Sequence, residues 1–166
     1  MEVASLPDTV ATEGRIRTGG LGPRLRMLVA AVPPCSALGD VGAGDGQVSC
    51  RLRAAGVRAI ATELHPKAWA RLPADVEPRL ADGLAAFVDG EVEGVLIAGM
   101  GPRSIIRILE RRLRFAQGLA WLVLQPQQHP ELMEQWIQGR GWAVLARREA
   151  LQGGRAYRAL VVRPGG

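Results

Sequence analysis

Hydrophobic positions follow two alternating rhythms along the chain. From Pro23 to Val32, the residues Leu25, Leu28, Val29 and Val32 fall at helical spacing, and Pro33 and Pro34 stop the helix they predict. Short apolar runs then recur, each ended by glycine or a polar residue, as in strands buried on both faces. Residues 36–42, 57–63, 93–101 and 118–126 predict such strands. Residues 76–83 predict a weaker one, interrupted by Pro78. Helical spacing returns between them over 47–56, 66–72, 102–115 and 130–141. Ile105, Ile108 and Leu109 share one side of the third of these helices. Gly56 suits a left-handed cap, and Pro66 suits a first helical turn. Residues 142–151 and 156–164, joined by "QGGR", predict two strands and a tight turn. Residues 1–20 carry no rhythm and read as a flexible lead-in to one domain over 21–166.

Strands alternating with helices predict an α/β protein: a doubly wound, Rossmann-like, mostly parallel sheet with a C-terminal antiparallel hairpin. Such sheets bind ligands at the carboxyl ends of the strands, where the winding reverses. The segment "DVGAGDGQ", Asp40 to Gln47, falls there. Gly42, Gly44 and Gly46 allow a sharp turn and close approach of backbone to ligand. Their spacing is G-x-G-x-G. Gln47 stands where the dinucleotide pattern G-x-G-x-x-G has its third glycine. Asp40 at the mouth repels phosphate and can pair with an ammonium group. Glu63, with Leu64 beside it, ends the second strand, where a carboxylate accepts ribose hydroxyls. Asp82 and Gly83 follow the third strand. Asp82 is placed for an adenine amino group, for capping residues 83–87, or for both. Three carboxylates around a glycine turn predict a site for S-adenosyl-L-methionine.

The stretches "VLIAGMG", "LVLQP" and "LMEQWIQGRGWAVLARREAL", with "LGPRLRMLVAAVP" near the start, resemble the bacterial tRNA (adenine-22-N1)-methyltransferases. The resemblance runs over most of the chain from about residue 21. It implies a class I methyltransferase fold, S-adenosyl-L-methionine as donor and tRNA as substrate. Within it, Asp40 and Gly42 match the cofactor turn, Glu63 the ribose acid, and Asp82 the adenine-side acid. Gly99, Met100 and Gly101 match the fourth-strand motif, and Gln125 and Pro126 the fifth. The family's loop reads like "DIGSDHAYLP". Here Gly44, Asp45, Gln47 and Ser49 replace its Asp, His, Tyr and Pro. Pro102 stands in place of a Gly, and Gln127 in place of an Asn. The family's helical C-terminal extension has no counterpart before Gly166.

Methyl transfer to adenine N1 needs no strong base, because N1 carries a free lone pair. It needs an acceptor for the N6 amino group, and Gln125 and Asp45 are the candidate catalytic residues. Gln127 and the Gly99–Met100 backbone are further acceptors. Met100 also suits packing beside a sulfonium, and Gln125 suits capping a chain end. Two other readings stand beside tRNA methylation: a non-catalytic binding protein on the methyltransferase fold, or a methyltransferase acting on a small molecule or a protein.

The net charge of +5, carried almost entirely by arginine, suits a polyanion such as RNA. A codon bias towards Arg, Ala and Gly accounts for it equally well. Arg111, Arg112 and Arg114 read either as a solvated helix face or as part of an RNA patch. Cys35 and Cys50 have no metal-ligand or disulfide spacing, which predicts a cytoplasmic protein without a metal. No apolar run reaches the length of a membrane span. His65 and His129, each before a proline, read as turn residues. Trp121, Trp136 and Trp142 read as packing.

Overall fold

The computed structural model describes residues 19–165. Most of the lead-in expected over residues 1–20 lies outside them. The described elements are α1 (Pro23–Ala31), β1 (Ala37–Val41), α2 (Gln47–Ala54), β2 (Arg58–Glu63), α3 (Pro66–Trp69), β3 (Arg79–Leu80), β4 (Gly94–Met100), α4 (Pro102–Arg111), α5 (Leu113–Gln117), β5 (Trp121–Pro126), α6 (Pro130–Gly139), β6 (Ala143–Gln152) and β7 (Arg155–Arg163). Short 3-10 turns occupy Ala74–Val76 and Gly83–Ala86.

The seven described strands form one sheet in the order β3-β2-β1-β4-β5-β7-β6. β1 to β5 run parallel, while β7 is antiparallel to both β5 and β6. Successive side chains on a strand point to opposite faces. Val95, Ile97, Leu122 and Leu124 therefore join a core with α4, α5 and α6. Leu96 and Val123, from the same two strands, join the opposite core with α1 and α2. Both faces are covered, which is why these strands read as unbroken apolar runs. The winding reverses between β1 and β4, the two strands that begin the halves of the sheet.

Three expectations change in detail. The weak third strand shrinks to Arg79–Leu80 at the sheet edge. Arg79 anchors it by a fork onto Glu91 (2.5 and 2.9 Å) and a bond to Ala86 O. The helix expected over residues 66–72 is a single turn, Pro66–Trp69. The helix expected over residues 102–115 breaks at Arg112, whose φ of −131° and ψ of 45° leave the helical region. The break turns Phe115, off the stripe of Ile105 and Leu109, onto Phe87 at a centroid distance of 6.0 Å. Arg112 lies over the Phe115 ring. The run Arg111, Arg112 and Arg114 is thus not one helix face: it straddles the break, with Arg112 half-buried.

Candidate active site

A cleft of about 590 Å³ opens at the carboxyl ends of β1, β2 and β4, within the size range of small-molecule sites. Gly42, the first glycine of the turn, lines it, whereas Asp40, Gly44 and Gly46 are not among its lining residues. Gly42, Gly44 and Gly46 all adopt positive φ (67°, 65° and 75°), a conformation in which a Cβ is strained. The N–H groups of Gly42 and Ala43 both donate to Thr62 O on β2 (2.9 and 3.2 Å), which pins the turn against the neighbouring strand. Gly46 caps α2 in the left-handed conformation and is buried. A Cβ on Gly42 would overlap the Met100 methyl group, so Met100 covers the turn where the glycine leaves room.

Met100 reaches the cleft because β4 carries a bulge. Ala98 pairs with Gln125 and Met100 with Pro126, and Gly99 is the extra residue between them, at φ 76°. A bulge re-aims the side chain after it. Here Met100 and Gly101 line the cleft, while Gly99 lies outside it against Arg24.

Asp40, at the end of β1, is 4% exposed and accepts a hydrogen bond from Ser49 Oγ of α2 at 2.6 Å. Burial pushes its carboxyl up from 3.8 to about 6, the Ser49 bond opposes this, and the Glu63 charge adds to it. Glu63, at the tip of β2, accepts the Gly44 N–H at 2.5 Å through Oε1. Its Oε2 has no hydrogen-bond partner among the described residues, and Glu63, Leu64 and Thr62 all line the cleft. Thr62 Oγ1 is buried without a partner as well. Asp82 and Gly83 line the far end, where Arg111 Nη1 donates to Asp82 Oδ2 at 2.5 Å. Asp82 precedes the 3-10 turn but makes no side-chain cap. The arginine contact thus takes the place that sequence reasoning gave to capping.

The other candidates lie apart from the cleft. Asp45 is exposed and accepts a bond from Gln47 Nε2 at 2.8 Å. Gln125 is fully buried with both ends of its amide engaged. Its Oε1 accepts from Arg24 Nε (2.7 Å), and its Nε2 donates to Pro126 O (2.6 Å). Arg107, Ser104 and Ile108 of α4 also line the cleft. Sequence reasoning did not assign them to the site and read Ile108 only as part of an apolar helix side, although Ser104, Ile108 and Arg111 share helical spacing downstream of "IAGMG".

These features fit a nucleoside cofactor with a cationic end and no phosphate. The backbone approaches closely at Gly42, the Glu63 carboxylate and the partnerless Thr62 hydroxyl belong to lining residues, and the buried Asp40 carboxyl lies two residues before the turn. A doubly wound sheet with one antiparallel strand near its edge and this site at the reversal defines a protein of the methyltransferase type. The chain belongs to the methyltransferase domain family, which it matches over residues 21–160. It is 27% identical over 158 residues to the tRNA (adenine(22)-N(1))-methyltransferase of Bacillus subtilis (strain 168), covering 87% of this chain and 66% of that protein. Sp1610 of Streptococcus pneumoniae, a proposed tRNA (m1A22) methyltransferase, is 30% identical, with a TM-score of 0.81 over 87% of this chain and 71% of that one. The same protein has been solved in complex with S-adenosyl-L-methionine, with a TM-score of 0.79 over 73% of that chain. This chain therefore spans just under two thirds of the length of the Bacillus enzyme.

Replacing Glu63 by alanine is expected to weaken S-adenosyl-L-methionine binding by about 1.5–3 kcal/mol, the range for hydrogen bonds to a charged group. The check is calorimetry on a variant with an unchanged melting curve. An unaltered dissociation constant would remove Glu63 from the cofactor site.

Proposed function

We propose that the protein is an S-adenosyl-L-methionine-dependent methyltransferase acting on adenine N1 in tRNA, and that it works in the cytoplasm. The observation that carries this reading is the pairing of buried Asp40 with free Glu63 Oε2 across a glycine turn, in a chain similar to the tRNA (m1A22) methyltransferases. The cofactor, when bound, supplies a methyl group activated by its sulfonium. Asp40 would hold the ammonium end, and Glu63 would hold the ribose hydroxyls. Asp82, at the far end of the cleft, would lie on the adenine side. Leu64 and Ile108 supply apolar wall. Met100 and Gly101 line the cleft and would shield the transfer point from water.

Adenine N1 attacks through its own lone pair, so the chain's contribution is orientation and shielding. Well-oriented reactants can lower a barrier by up to ~7–11 kcal/mol. Buried Gln125 serves this indirectly, by fixing the Arg24 guanidinium at the tips of β4 and β5. Asp45, exposed beside the turn, is placed to meet the approaching substrate.

The test is to incubate the protein with methyl-labelled donor and total bacterial tRNA, then map the modified base by mass spectrometry. Label is expected in tRNA as N1-methyladenosine. Label in no RNA at any salt concentration would overturn the reading.

A further inference from the structure

A second cluster lies beyond the cleft, at the carboxyl ends of β4 and β5, and none of its residues lines the cleft. Arg24 of α1 and Arg155 of β7 approach the same ring, with guanidinium carbons 5.7 and 5.2 Å from the Tyr157 centroid. The fold brings them together because β7 runs antiparallel to β5. The start of β7 and the hairpin turn before it therefore overhang the carboxyl end of the sheet. α1 begins against that turn, with the Arg24 N–H donating to Gln152 Oε1 at 3.1 Å.

Neither arginine has a carboxylate partner among the described residues. Arg24 donates to Gln125 Oε1, and Arg155 Nη2 donates to Gln127 O. This sets them apart from the arginines that pair with acids elsewhere, such as Arg79 with Glu91 and Arg147 with Glu134. Arg24 is half-buried, and desolvation holds its pKa below the ordinary value, with Tyr157 opposing. A desolvated, uncompensated guanidinium fork suits a phosphate, which it can meet with two parallel bonds. An independent observation sits next to it. Gln127 Oε1 is buried with no donor among the described residues, although the Gln127 N–H is satisfied by Met100 O at 2.7 Å. An orphaned acceptor on this half-buried side chain at the tip of β5 gains a partner if the side chain turns outward to meet an N–H donor of a ligand.

We infer that the acceptor nucleotide docks on this cluster, with its phosphate held by Arg24 and Arg155 and its exocyclic amino group by Gln127 Oε1. The inference rests on the reading of the protein as an RNA methyltransferase and adds the side chains that position the substrate. Arg24 also lies against Gly99, the bulge residue that sends Met100 into the cleft. The arginine pair and the transfer point are thereby linked through one residue of β4. Binding energy spent on the phosphate would orient the base at the reacting centre.

The test uses the full chain with Arg155→Gln, Arg24→Gln and Gln127→Leu. It reads tRNA affinity against salt, kcat and KM for tRNA methylation, and affinity for S-adenosylhomocysteine. Arg155→Gln and Arg24→Gln are expected to raise KM about tenfold and to lower the slope of log affinity against log salt by about one each, with cofactor affinity unchanged. Gln127→Leu is expected to lower kcat at least tenfold with little change in tRNA affinity. Arg155 is exposed, so its variant will keep the melting curve even if Arg24→Gln does not.

The failures separate cleanly. If the wild type methylates tRNA and both arginine variants keep its KM and salt slope, the docking site is wrong and the function stands. If tRNA binding depends on the arginines but no methyl group is transferred, the docking site stands and the methylation reading falls. A wild type that neither binds nor methylates RNA overturns both.

Discussion

Asp40→Asn is expected to make the protein more stable at pH 8 while removing most of its affinity for S-adenosyl-L-methionine. In the folded chain the Asp40 carboxyl titrates near pH 6, against an ordinary value of 3.8, chiefly because burial disfavours its charged form. Below about pH 4 it is protonated in the folded and the unfolded chain alike. Between there and about pH 6 the unfolded chain releases a proton that the folded chain keeps, so stability falls as pH rises through this window. The full difference corresponds to roughly 3 kcal/mol. Asparagine keeps the shape and an acceptor for Ser49 but carries no charge. The variant should match the wild type near pH 4 and exceed it by up to ~3 kcal/mol at pH 8, as read from denaturant melts across pH. Its cofactor affinity should drop about 10–100-fold, in line with a lost charge-assisted bond. In the wild type that affinity should weaken below about pH 6, as Asp40 takes up its proton. Parallel stability curves for the two proteins would show that burial does not penalise the Asp40 charge, and equal cofactor affinities would remove Asp40 from the site. A charge kept in a buried position against the interest of the fold is what a cofactor-binding role predicts.

Gly94→Ala is expected to lower stability by about 3 kcal/mol without touching the cleft. Gly94 begins β4, between Leu38 of β1 and Trp121 of β5. The Trp121 indole lies flat in the space a side chain would take, and a Cβ at Gly94 would overlap three of its ring atoms. Trp121 is 5% exposed and packed among Leu38, Leu96 and Val123, so the ring has no solvent to swing into. Overpacking of this kind costs ~1–3 kcal/mol, and a rigid ring flanked by strands puts it at the upper end. In a domain of this size the melting temperature should fall by roughly 6–12 °C. Combining it with Trp121→Leu should recover part of the loss, because the two changes share one volume. A melting curve unchanged by Gly94→Ala would mean that the sheet accommodates the methyl group and that the glycine is not required by packing.

The sequence by itself determined the alternation of strands and helices, the parallel sheet with its terminal hairpin, and the glycine turn with acids at Asp40 and Glu63. These features are encoded within a few residues. Apolar periodicity follows from which faces of an element are covered, and a positive-φ turn announces itself through glycine. The edge strand at Arg79–Leu80 and the single turn at Pro66–Trp69 were legible as locations but not as lengths, because neighbouring packing sets where such weak elements end. Only the tertiary structure decided what each polar group does. Asp40 is a perturbed acid because two layers of the fold desolvate it, with Ser49 reaching it from α2. Gln125 becomes a buried anchor because Arg24, 101 positions earlier, reaches its amide oxygen. Asp82 is paired because Arg111 of α4 reaches it at the far end of the cleft. The break at Arg112 arises because Phe87 lies in reach of Phe115. Backbone conformation is a local property, whereas desolvation and hydrogen-bond partnership depend on atoms that meet only once the chain has folded.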